Sequence, residues 1–104
     1  MVVKMHAKVY AKEGMTKGQF ADYWLKKHAP LAKKMPGLKR YTINIVKATD
    51  GEEPGYQGTA ELHFDSFEDY ERAFESPEGK KAVDDVKNFA RKVTSITIEE
   101  NKIV

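Results

Sequence analysis

The feature that most constrains this chain is the order in which two hydrophobic periods follow one another. Residues 2 to 12 alternate, with Val3, Met5, Ala7 and Val9 on one face and Lys4, His6, Lys8 and Tyr10 on the other. Period-two alternation with β-branched residues predicts a strand covered on one side only. Thr16 is then a good N-cap, Gln19 is its capping-box partner, and Met15 can staple against Phe20. Phe20, Trp24 and His28 follow at spacings of four with Tyr23 beside them, so these side chains share one helical stripe. Pro30 disfavours helical geometry at Ala29 and predicts a break or kink there.

Pro36-Gly37 is a turn signal, after which residues 38 to 47 alternate again. Tyr41, Ile43 and Ile45 oppose Arg40, Thr42, Asn44 and Val46. Asp50-Gly51 and Pro54-Gly55 mark a hairpin loop. The returning strand, Gln57 to Phe64, sets Ala60, Leu62 and Phe64 against Thr59, Glu61 and His63. Ser66, with Asp69 three residues on, starts a second helix bearing Phe67, Tyr70 and Phe74. Ser76-Pro77 supplies an N-cap and an N1 proline, restarting a helix through Val83, Val86 and Phe89. Val93 to Ile103 alternates last, with Ile96 and Ile98 taken as the apolar side and Ser95, Thr97 and Glu99 opposite. The order strand, helix, strand, strand, helix, strand predicts an α+β fold of the ferredoxin-like βαββαβ kind. Its four-stranded antiparallel sheet would carry the helices on one face.

A length of 104 residues implies one domain spanning 1–104. A net charge of +2, with the charges interspersed, is too small to imply a nucleic acid partner. The chain has no cysteine, which excludes disulfides, zinc–thiolate sites and cysteine nucleophiles. No stretch has the apolar length of a signal peptide or membrane span, so a cytoplasmic address without membrane association is expected.

The sheet face away from the helices collects Lys4, His6, Lys8, Tyr10, Arg40, Thr42, Asn44, Val46, Thr59, Glu61, His63, Ser95 and Thr97. A solvated face is more often plain Lys, Glu, Thr and Ser. Here two of the three histidines fall beside Glu61, Arg40 and Tyr10. If a second protomer covers this face, these groups line an enclosed cavity, and convergent titratable groups in a cavity are the usual signature of a site.

The run Phe20-x-x-Tyr23-Trp24-x-x-x-His28-Ala29-Pro30-Leu31, followed by Pro36-Gly37-Leu38-x-Arg40-Tyr41, resembles the signature of the EthD family. The stretch from Phe64 through Ser76-Pro77-Glu78-Gly79 fits the same pattern, so the resemblance covers nearly the whole chain. It implies a ferredoxin-like protomer that pairs sheet to sheet into a dimeric α+β barrel, with a pocket between sheet and helices in each protomer. It also implies relatives that include polyketide cyclases, monooxygenases without bound cofactor, lactone isomerases and proteins with no assigned reaction. A histidine near the start of the first strand, as His6 is here, is similar to one in the cyclases.

His6 and His63 project from strands that neighbour one another in this fold, as a candidate base and proton donor, because imidazole titrates near neutral pH. Glu61 is placed to orient an imidazole or raise its pKa, and Arg40 or Tyr10 to polarise a substrate carbonyl. Asn44 shares their face. His28 is a third catalytic candidate, set against a helix-end histidine bonded to backbone carbonyls. Trp24, Tyr23 and Phe20 read as core and pocket wall. His6, His63 and Glu61 are also a possible zinc or iron set, but no local ligand spacing supports it, and no metal or cofactor is expected. The leading expectation is a homodimeric, cofactor-independent enzyme working by acid–base chemistry on a small carbonyl-bearing ligand. The alternatives are a small-molecule sensor or carrier, and an RNA-binding module, the latter opposed by Glu61 on the third strand.

Overall fold

The computed structural model describes residues 2–49, 51 and 55–104. The chain runs β1 (Val2–Ala11), α1 (Lys17–Tyr23), a π-helical turn (Trp24–His28), α2 (Ala29–Ala32), β2 (Arg40–Ile45) and β3 (Gly58–Phe64). It continues through α3 (Phe67–Glu75), α4 (Pro77–Asp85), a 3-10 turn (Val86–Asn88) and β4 (Ala90–Glu100). The strands form one antiparallel sheet in the order β2-β3-β1-β4. This is the ferredoxin-like α+β arrangement that the alternation of periods predicts, with both crossovers returning over the same face of the sheet.

The helix starts follow the local chemistry of the sequence. Thr16 and Gln19 form a reciprocal capping box. Ser66 accepts from the Asp69 amide, and Ser76 from the Gly79 amide. Each satisfies a backbone N–H that the first helical turn leaves open. Of the two loop signals between β2 and β3, Asp50 and Pro54 lie outside the described residues, whereas Gly51 and Gly55 have positive φ, 83° and 87°.

The first helix does not stop at Pro30. It widens into the π turn, where the Ala29 N–H bonds to the Trp24 carbonyl, and then continues as α2. Proline has no N–H to give an i→i−4 bond, and one extra residue per turn lets the chain pass it while staying helical. Trp24 and His28 are both buried, while Leu25, Lys26 and Lys27 between them are exposed.

Ala7, Val9, Ala60, Leu62 and Phe64 form one core with Phe20, Trp24, Ala73, Ala82 and Phe89. Two glycines mark places where backbones approach too closely for a side chain. A Cβ on Gly79 would collide with the Ala73 carbonyl at the α3–α4 junction, and one on Gly58 would lie 2.6 Å from the Trp24 ring.

β4 reverses the expected facing. Ile96 pairs with His6 and Ile98 with Lys4, so both isoleucines stand on the open sheet face. Ser95 pairs with Ala7 and Thr97 with Met5, which puts Ser95, Thr97 and Glu99 on the helix side and not on the open face as expected. The helix-side residues Val93, Ser95, Thr97 and Glu99 are nevertheless exposed. The helical layer stops short of this edge strand, so its apolar side was free to face the other way.

Candidate active site

Between the sheet and the helices lies a cavity of about 330 Å³. Its floor is β1 and β3, through Met5, Ala7 and Leu62, and its walls include Trp24, Val86 and Phe89. Val83 and Val93, both exposed, stand at its rim beside the uncovered edge strand. The lining is almost wholly apolar, and its polar side chains are His28, Tyr41, Ser95 and the Trp24 indole.

His28 is held from behind. Its Nδ1 lies 2.9 Å from Asp85 Oδ2. Tyr23 Oη donates to Asp85 Oδ1 at 2.8 Å, and Asn88 Nδ2 donates to the same oxygen at 2.9 Å. Burial alone would raise the Asp85 pKa, but the hydrogen bonds from Asn88, His28 and Tyr23 outweigh it and hold the group below the usual carboxylate value. An ionised carboxylate only accepts, so Nδ1 carries a proton, and in the ring's neutral form the lone pair is at Nε2. Among the described residues nothing hydrogen-bonds Nε2. The same bond to Asp85 pushes the Tyr23 phenol up, so it remains a donor. Phe89 packs against the imidazole, with ring centroids 4.8 Å apart.

Tyr41 supplies the second polar group. The Trp24 indole N–H donates to its hydroxyl at 3.2 Å. An indole can only donate, so the Tyr41 oxygen is the acceptor and its own O–H remains to be donated elsewhere. Burial raises the Tyr41 pKa, which keeps the phenol protonated.

The expected site residues divide between the two faces of the sheet. Trp24 and His28 line the cavity. His6, His63 and Glu61 do come together as neighbours, but on the opposite, open face. There Arg40, His63, Lys4 and Ile98 form one cross-strand row, and Thr42, Glu61, His6 and Ile96 the next. Glu61 lies 3.6 Å from Lys4 Nζ and 3.6 Å from His63 Nε2. Burial works to raise its pKa, yet the charge of Lys4 and the contacts with His63 and His6 leave it lowered. Tyr10, Arg40, Asn44 and Glu61, expected as pocket residues, do not line the helix-side cavity. Asn44 donates to Thr59, and Tyr10 packs against Tyr56 with Arg91 and Lys92 over its ring. Among the described residues no three or more His, Asp or Glu side chains are placed to hold a metal ion, so the set His6, His63 and Glu61 does not form a ligand cluster.

Asp85 and Tyr41 are the site residues that sequence reasoning passed over, and Tyr23, read as core and pocket wall, was not linked to Asp85. For Asp85 a signal existed: it sits three residues after Ala82 and four before Phe89, a carboxylate on the buried stripe of an amphipathic helix. Tyr41 was placed on the covered face of its strand, but nothing local shows that its hydroxyl meets Trp24.

Fold and cavity together define a ferredoxin-like α+β domain with a ligand-sized chamber under its helices. Residues 12–92 match the EthD domain, and the chain belongs to the EthD family. It is 35% identical over 86 residues to an uncharacterized 11.0 kDa protein from the thcB-thcC intergenic region of Rhodococcus erythropolis, a match covering 82% of this chain and 84% of that one. A crystal structure of an EthD family protein from Bacillus halodurans is 28% identical, with TM-score 0.85 and coverage of 97% of this chain and 100% of that one. The hydroxynitrile lyase of Passiflora edulis shares the fold alone, at 16% identity, TM-score 0.79 and coverage of 99% and 96%. So does a dimeric ferredoxin-like protein of unknown function from Thermobifida fusca, at 12% identity, TM-score 0.75 and coverage of 94% and 90%. Among the described residues no helix is long and apolar enough to cross a membrane.

Proposed function

We propose that residues 1–104 act as one unit, a cytoplasmic homodimeric enzyme that moves protons on a small carbonyl-bearing molecule in the helix-side cavity. The reaction is of the cyclase, isomerase or oxygenase type and uses the chain's own side chains, without a resident cofactor. The observation that carries this reading is the Asp85-backed His28 and the Tyr41 side chain lining one largely apolar cavity. His28 Nε2 takes a proton from the carbon next to the carbonyl. Tyr41 donates its O–H to the carbonyl oxygen as negative charge develops there, and Asp85 stabilises the imidazolium that forms. The fold shared with a hydroxynitrile lyase supports an acid–base chemistry on this scaffold, by analogy only.

The open sheet face is the dimer surface in this reading. Ile96 is 62% exposed there beside Ile98, ringed by Lys4, Glu61, His6 and His63. A two-fold pairing would bury the isoleucines and set charges of both signs against their opposites. The dimeric description of the Thermobifida fusca protein supports it. The carboxylates of Glu61 and Glu100 beside Lys4 argue against a nucleic acid on this face.

The test needs no natural substrate. Exchange of the methyl protons of acetophenone in D2O, followed by NMR, reads abstraction of a proton next to a carbonyl. Wild-type protein should accelerate exchange, and His28→Gln should return it to the buffer rate. Equal rates for the two proteins would remove the enzyme reading. Saturable binding without exchange would replace it by a small-molecule carrier or sensor, the reading that the scarcity of polar groups in the cavity favours.

A further inference from the structure

The charge balance around the cavity restricts its ligand further than the chemistry of His28 does. Among the described residues no Lys, Arg, Asp or Glu side chain lines it. Behind its polar end stands Asp85, bonded to His28. With a neutral ring the pair carries one negative charge, and with a protonated ring it carries none. In neither state does it offer a net positive charge. An ionised carboxylate or phosphate entering the chamber would lose its water and find no counter-charge, which is strongly unfavourable. A cation would have to cross the apolar walls to reach a carboxylate already bonded to His28, Tyr23 and Asn88.

Size narrows the class again. A chamber of about 330 Å³ stands at the lower end of ligand pockets. That is room for one ring with a short substituent. The polar side chains are Tyr41, whose O–H remains to be donated, His28 through Nε2, and Ser95 on the exposed edge strand, against walls of Trp24, Phe89 and aliphatic side chains. Aromatic and aliphatic walls with a few polar groups hold an apolar body and orient it by its single polar end.

We propose that the cavity selects an uncharged, single-ring carbonyl compound whose oxygen accepts from Tyr41, and that it rejects the corresponding carboxylate. This rests on the reading of the cavity as a site and specifies its substrate class. Acetophenone and benzoate make the test, since they are nearly the same size and differ in charge. The chain has one tryptophan, so the Trp24 indole N–H, bonded to Tyr41, gives a single NMR reporter at the site. At pH 8 acetophenone should shift that resonance with a dissociation constant of about 1 mM, as suits so small a ligand. Benzoate should bind at least tenfold more weakly. Tyr41→Phe should weaken acetophenone about fivefold or more and leave toluene unchanged. Benzoate binding as tightly as acetophenone, or no shift with acetophenone up to its solubility, overturns the proposal. So does Tyr41→Phe binding acetophenone as the wild type does. The comparison of the two ligands on wild-type protein stands without the variant. Acetophenone binding without exchange of its methyl protons would remove the enzyme reading and leave this selectivity intact.

Discussion

Replacing Asp85 by alanine tests the candidate site and its contribution to the fold together. The carboxylate accepts from Tyr23 at 2.8 Å, and from Asn88 and His28 at 2.9 Å each. The three losses are unequal. His28 is 6% exposed, so its Nδ1–H would be left buried without an acceptor, at a cost of about 1–3 kcal/mol. Tyr23 is half-buried and Asn88 exposed, so water replaces their acceptor, and together they lose about 1 kcal/mol or less. The sum is about 1–4 kcal/mol, which lowers Tm by about 5–30 °C in a domain of this size. The pH dependence follows from the lowered pKa of Asp85. A carboxylate whose folded pKa is depressed stabilises fully above its unfolded pKa, and that contribution is lost as pH falls through the folded value. The gap between wild type and Asp85→Ala should therefore be full at pH 7 and narrow below about pH 4, the unfolded range for aspartate. Glu61 also titrates in acid, but it is common to both proteins and cancels. Thermal melts followed by circular dichroism from pH 7 to pH 3 measure this directly. A loss under about 0.5 kcal/mol at pH 7, or a gap that stays constant in acid, would refute the reasoning.

Asp85→Asn separates chemistry from stability, because its amide N–H donates to His28 Nδ1 and moves the ring proton to Nε2. The acetophenone exchange rate should fall by about 100-fold to 10,000-fold, with Tm reduced less than in Asp85→Ala. Gly58→Ala places a methyl 2.6 Å from the Trp24 ring and 2.7 Å from the Asn44 carbonyl. It should displace the indole and move its N–H resonance as the bond to Tyr41 is lost. Gly79→Ala forces the α3–α4 junction apart and should destabilise by about 1–3 kcal/mol, read by urea denaturation. Ile96→Asp should leave the protomer folded, since the side chain is 62% exposed. It should raise the dimer dissociation constant about 100-fold or more by sedimentation, from two lost apolar contacts of about 1.5 kcal/mol each.

Most of the architecture was legible locally. Periodicity is a property of neighbouring residues, so the alternation around Val3, Ile43, Leu62 and Ile96 located the four strands. Caps act over one helical turn, so Thr16, Ser66 and Ser76 marked the helix starts. The EthD signature around Trp24 and His28 was likewise a local pattern, and the family match covers it. Pro30 signals a break or kink, and the α-helix is interrupted there by the π turn, though the chain stays helical through Ala32.

The candidate site was legible only by halves. Alternation says that the two faces of a strand differ, but not which of them the rest of the protein covers. Ile96 and Ile98 were therefore assigned to the wrong side of β4, whose helix-side residues are left exposed. The partition of the histidines was legible, since alternation set His6 and His63 on the face away from the helices and helical spacing set His28 beside Trp24, and the structure keeps both placements. His28 and Asp85 are 57 residues apart, and only the packing of α4 beside the π turn brings their atoms to 2.9 Å. The sequence by itself determined the order and kind of the elements, because these are set by interactions within a few residues. Which groups meet, which face is enclosed and which charge stands behind the imidazole were decided by the tertiary structure, because those interactions exist only once distant segments have packed.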